Sequence, residues 1–173
     1  MTTPMKYASI ILAALTLFIS ACSSDEPTGN VNLPIAESFL PVNIVVDRHD
    51  TELLEECRKW RDKTLTVNST SEIPDDPFGS KEAFSNINLN ELSLLITYNV
   101  HSYNVLSYQN IFVRNRTDKT YDWTIRVGIN GEAVSPDEQL IYTRYAILVK
   151  RLPAGATLRA WYSITDHNWD WVN

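Results

Sequence analysis

Cys57 is the most reactive side chain type in this 173-residue sequence, and His49, His101 and His167 are the bases that could serve it. A thiol becomes a nucleophile when it is exposed and an imidazole within hydrogen-bond reach favours the thiolate. The spacing argues otherwise. Leu53, Cys57 and Trp60 recur at intervals of four and three, so Cys57 falls on the apolar stripe of a helix, where a free cysteine behaves as a small hydrophobe. The Gly-x-Ser-x-Gly, His-Glu-x-x-His and Ser-x-x-Lys signatures are absent beyond residue 22, and no catalytic residue is assigned. No glycine fingerprint follows any strand, so no cofactor is expected.

Asp166, His167 and Asp170 are close enough in sequence to suggest metal ligands, but alternate residues of a strand point to opposite faces and no second cluster completes the set. No metal site is assigned. A small hydrolase built on Asp137, Glu138, His167 and Asp170 is the enzymatic alternative, although these residues offer no nucleophile and base at usable spacing. Trp161, Trp169 and Trp171 are the candidate ligand-binding residues. Trp161 falls on the same side of its strand as Thr157, Arg159 and Ser163, the polar side. Trp169 and Trp171 flank Asp170 and follow Asn168, an arrangement suited to a sugar, whose apolar face stacks on an indole while amides and carboxylates meet its hydroxyls. The competing role for this pair is to close one end of the core. Asn68-Ser69-Thr70 and Asn115-Arg116-Thr117 match a glycosylation sequon and are equally ordinary turn residues.

The elements that must position these side chains begin beyond an export signal. Lys6 supplies a positive start, Tyr7 to Ile19 is an apolar run, and Ser20-Ala21 are small residues before Cys22. That run is short of the roughly twenty residues a membrane-spanning helix needs. Ile19-Ser20-Ala21-Cys22 resembles the bacterial lipobox. The resemblance implies signal-peptidase recognition through Ile19, Ser20 and Ala21, and lipidation of Cys22, so the protein is held to a membrane by acyl chains. Ser24-Asp25-Glu26 is similar to the acidic export signal of Bacteroidetes-type outer-membrane lipoproteins, which implies a place on the outer membrane, facing the cell exterior. Residues 1–21 are thus expected to be a signal peptide, 22–41 a polar, Pro- and Gly-broken tether, and 42–173 one β-rich globular domain.

With 15 basic and 21 acidic residues the formal charge is −6, and losing Lys6 makes the exported part more negative. That balance excludes a nucleic-acid partner and disfavours adsorption to anionic lipid. With Cys22 lipidated, Cys57 has no disulfide partner.

Val42 to Val46 reads as an opening strand. Asp50 caps the helix that follows, with acidic residues in its first turn and basic ones in its last. Thr64 to Asn68 alternates, and Ser69 to Ser85 reads as loop with a helical turn. Leu94, Ile96, Tyr98 and Val100 form one face of a strand, and Leu95 makes its other face apolar, as in a central strand. Val105 to Arg114 is a second strand, with Thr117-Asp118-Lys119 as a turn.

Tyr121, Trp123, Ile125, Val127 and Ile129 alternate with polar or small residues in the cleanest period-two pattern of the chain, and Asn130-Gly131 then favours a tight turn. Ser135-Pro136-Asp137-Glu138 is a capping box. The β-branched and aromatic residues after it favour a strand, so one helical turn followed by a long hairpin through Pro153-Ala154-Gly155 is expected. His167 to Val172 reads as a last edge strand.

The expected fold is mainly β (α+β): an antiparallel sheet or sandwich-like domain with one short helix. The order of strand, Ser/Glu-containing loop, Phe84 to Leu89 lead-in, paired strands and Arg144-Tyr145-Ala146-Ile147-Leu148-Val149 is similar to that of bacterial lipoproteins that stabilise a partner surface protease complex. The similarity covers Thr64 to Ile164. His101-Ser102-Tyr103 stands where that family has Gly-Gly, and no site residue carries across. The functional expectation is a non-enzymatic binding or interaction module for an envelope protein or a glycan, with an immunity or inhibitor lipoprotein as a further alternative.

Overall fold

The computed structural model describes residues 30–115, 120–133 and 139–166. In chain order the elements are β1 (Val31–Asn32), β2 (Ile35–Asp47), α1 (Thr51–Arg58), β3 (Thr64–Val67), a 3-10 turn (Thr70–Glu72), α2 (Ser80–Phe84), β4 (Leu92–His101), β5 (Tyr103–Arg114), β6 (Thr120–Ala133), β7 (Gln139–Lys150) and β8 (Thr157–Asp166). Among the described residues the strands form two four-stranded sheets, ordered β2-β7-β4-β3 and β1-β5-β6-β8. The fold is mainly β, of the α+β sandwich-like kind.

Alternation explains the layers. Along β6, Tyr121, Trp123, Ile125, Val127 and Ile129 are buried and pack with Leu95, Tyr145, Ile147 and Val149 of the first sheet, forming the core between the sheets. The opposite face of β4 and β7, carrying Leu94, Ile96, Tyr98, Tyr142, Ala146 and Leu148, packs under α1, α2 and the segment between β3 and β4. The two middle strands of the first sheet are therefore buried on both sides, which is why they are apolar at consecutive positions.

Helix α1 starts where Asp50 accepts a hydrogen bond from the Leu53 amide at 3.1 Å, and it buries Leu54 and Cys57 with Leu53 and Trp60 partly covered. Across the sheet, a buried polar relay ties down the α2 segment. Arg144 donates to the Phe78 carbonyl at 3.1 Å and to Ser80 Oγ at 2.9 Å, Ser80 donates to Asp76 at 2.6 Å, and Tyr98 donates to the same carboxylate.

Several expectations are corrected. Strand pairing starts at Val31, and β2 already lies on β7 at Ile35, inside the stretch assigned to the tether. Phe39 packs edge-on against Phe84 of α2, with ring centroids 5.0 Å apart, which outweighs the polar composition, and the Leu40-Pro41 pair is absorbed at a register shift between Phe39 and Val42. Asn130-Gly131 does not turn the chain. β6 runs on to Ala133, and between the pairs Val105↔Ile129 and Tyr103↔Ala133 it carries the excess residues of a bulge.

Residues 139–150 are strand, as the β-branched content favours. The expected hairpin between this strand and the next does not form. A turn closes from the Ala156 amide to the Pro153 carbonyl at 3.1 Å, with Gly155 at φ 76°, but it passes the chain to the other sheet, where β8 lies parallel to β6. β7 has two apolar faces and needs cover on both, whereas β8 has one polar face and suits an outer edge. The capping box at 135–138, the turn at 117–119 and the strand at 167–172 lie outside the described residues.

Candidate functional site

The open face of the second sheet is where the sequence places Trp161. Parallel pairing sets Asp122 beside Arg159, Thr124 beside Trp161 and Arg126 beside Ser163. Cross-strand neighbours share a face, so this row points away from the core that Trp123, Ile125 and Val127 fill. The Asp122 carboxylate accepts from Arg159 Nε at 2.8 Å, from the second nitrogen of the same guanidinium at 2.9 Å, and from Trp161 Nε1 at 3.0 Å.

The Arg159 fork, aided by the indole N–H, holds the Asp122 carboxyl below its ordinary pKa. Trp161 remains 53% exposed even so. Its edge is fixed by the carboxylate, the Arg159 guanidinium carbon lies 6.0 Å from a ring centroid, and much of the ring stays open to solvent. Such an indole has little rotational freedom left to lose when a ligand stacks on it. The arrangement can bind a flat apolar surface and offer charged donors and acceptors beside it.

Asp122 and Arg159 were not singled out from the sequence. They lie 37 positions apart, and only the parallel pairing of β6 and β8 makes them neighbours. The alternation that puts Asp122 on the solvent side of β6 was the available signal. Trp169 and Trp171, with His167 and Asp170, lie outside the described residues, as do Cys22, expected from its sequence context to be lipidated, its flanking Ile19, Ser20 and Ala21, and Ser24, Asp25 and Glu26. For Asp166 the backbone alone is described. Among the described residues no group of three His, Cys, Asp or Glu side chains is placed to hold a metal ion, and no helix is long and apolar enough to cross a membrane.

Cys57 is completely buried, and burial raises its pKa, with the Glu56 charge adding to the effect. Both departures are the reverse of what a nucleophilic thiolate needs. His101 is engaged elsewhere. Its Nε2 lies 2.7 Å from Thr143 Oγ1, which donates to Asn43 Oδ1 at 2.8 Å, so the imidazole heads a polar chain running across β4, β7 and β2.

These features define a class by architecture, an α+β sandwich with one sheet face left open around a fixed indole. Comparison with protein-family models, curated proteins and solved structures gives no match for this chain.

Proposed function

We propose that the protein is a lipid-anchored cell-envelope lipoprotein that acts as a non-enzymatic binding module, with a glycan as the ligand of its open sheet face. The observation that carries the ligand class is Trp161, half-exposed on a sheet and oriented by Asp122 and Arg159. A pyranose presents an apolar face for the indole and equatorial hydroxyls for a carboxylate and a guanidinium, which is the combination available here. The anchor is supported by the sequence around Cys22, and the acidic residues at 25 and 26 favour the outer membrane and its exterior.

The test is binding of the purified protein to envelope polysaccharides and a glycan panel, followed by indole fluorescence. Trp161→Ala should weaken binding by about tenfold or more, the effect of removing a stacked aromatic anchor, without moving the thermal melt. Unchanged glycan binding by this variant would overturn the assignment. A protein partner is the second reading, favoured by Leu40 and Val45, which are exposed on the edge strand β2. Loss of a co-purifying envelope protein on Leu40→Asp, with glycan binding absent throughout, would select it.

A further inference from the structure

A cleft of about 490 Å³ opens at the end of the sandwich where β2 finishes. Three arginines line it from different positions. Arg48 follows β2, Arg58 closes α1 and Arg61 lies in the turn after it, while Leu54, Val100 and Leu140 supply apolar wall. No carboxylate is among the lining residues, in a chain whose formal charge is −6.

Two of the guanidiniums have local partners. Arg58 meets Glu55 at 2.6 Å and donates to the Tyr142 hydroxyl, and Arg61 meets Asp62 at 3.2 Å; the two ion pairs are solvent-exposed and hold little energy. Arg58 also offsets the negative C-terminal end of α1. Neither explanation covers Arg48, which has no ion pair among the described residues. Like charges brought to one cleft repel unless an anion lies among them.

We propose that this cleft binds a small phosphate-bearing molecule, the phosphate held among Arg48, Arg58 and Arg61 and its organic body against Leu54, Val100 and Leu140. Several planar forks fit a dianion that accepts on more than one edge, whereas a single carboxylate is satisfied by one fork. The volume leaves room for a body beyond the phosphate.

Position decides between a lipid headgroup and a soluble ligand. β2 begins at Ile35, paired with Val149, and ends at Asp47, paired with Gln139. At the rise of an extended strand this separates the entry of the chain from the cleft by about 40 Å. On the reading that Cys22 is the anchor, the cleft lies at the end of β2 opposite the point where the anchored chain enters, which favours a soluble ligand over a headgroup of the host membrane.

The test is calorimetric titration of the full-length protein, purified in detergent, with phenyl phosphate, and with benzoate as the single-carboxylate control. Phenyl phosphate should bind in preference to benzoate and weaken with added salt. Arg48→Gln and Arg58→Gln should each reduce its affinity about tenfold or more, as loss of charge-assisted bonds does, while Lys59→Gln, at the C-cap of α1 but outside the cleft, should leave it unchanged. Absence of phenyl phosphate binding, equal binding of benzoate, or equal loss in Lys59→Gln would overturn the site. Displacement of phenyl phosphate by phosphatidylglycerol in the same micelles would overturn the assignment to a soluble ligand. None of these readouts involves Trp161, so the glycan proposal and this one fail separately.

Discussion

Trp123 shows how one side chain serves both core and polar bookkeeping. Its indole is fully buried between the sheets and its Nε1 donates to Asn110 Oδ1 at 2.9 Å, so the ring fills volume without stranding a donor. Trp123→Ala should cost about 3 to 5 kcal/mol in a denaturant melt, through lost burial, the cavity and the orphaned Asn110. His101 should report on pH. Burial lowers its pKa from the ordinary value near 6.5, more than its backbone contact at Tyr103 raises it. The folded state therefore resists protonation that the unfolded chain accepts. Its contribution is fully present above the unfolded value and is lost as pH falls from there through the folded pKa. Melting temperature should drop over that window, above the acid range where Asp122 protonates, and His101→Gln should flatten the drop. An identical pH profile in the variant would show that other groups carry it.

Among the elements, α2 and its flanking segment depend on chemistry that strand periodicity does not announce. Ser69 to Ser85 reads as loop with a helical turn, and the structure contains both the 3-10 turn and α2 there. The segment is held by the relay from Arg144 through Ser80 to Asp76, with the Arg144 guanidinium carbon 4.7 Å from the centre of the Phe84 ring. Arg144→Met should cost about 3 to 5 kcal/mol, because it leaves the Asp76 carboxylate buried without its cationic neighbour. Hydrogen exchange should quicken first between residues 69 and 90. Uniform exchange along the whole chain would mean that the segment is not separately pinned. Arg144 was legible only as one residue of an apolar strand. Its partners come from more than 60 positions away, and no local pattern links them.

For the whole molecule, β7 is the strand on which the two layers depend, since it lies between β2 and β4 and is apolar on both faces. The chain leaves it for the opposite sheet at Pro153, and that crossing creates the open face bearing Trp161. If Cys22 carries the lipid, Cys22→Ser should yield a folded protein that partitions to the soluble fraction with an unchanged melt. Equal membrane retention would sink the lipoprotein proposal. What the sequence alone determined is burial along individual strands and the start of α1. Alternation in β4 and β6 relates residues two apart, and a cap relates residues three apart, so neighbours suffice. Which strand lies beside which was decided by the tertiary structure. β8 could pair with β7 as a hairpin or with β6 in parallel, and the turn at Pro153 is compatible with both. Covering both faces of β7 while leaving one polar face of β8 in water selects the second, and with it the meeting of Asp122, Arg159 and Trp161. A second long-range pairing, of β4 with β7, brings Val100 and Leu140 to the cleft that Arg48 and Arg58 line, because burial energy is summed over sheets and not over neighbours in sequence.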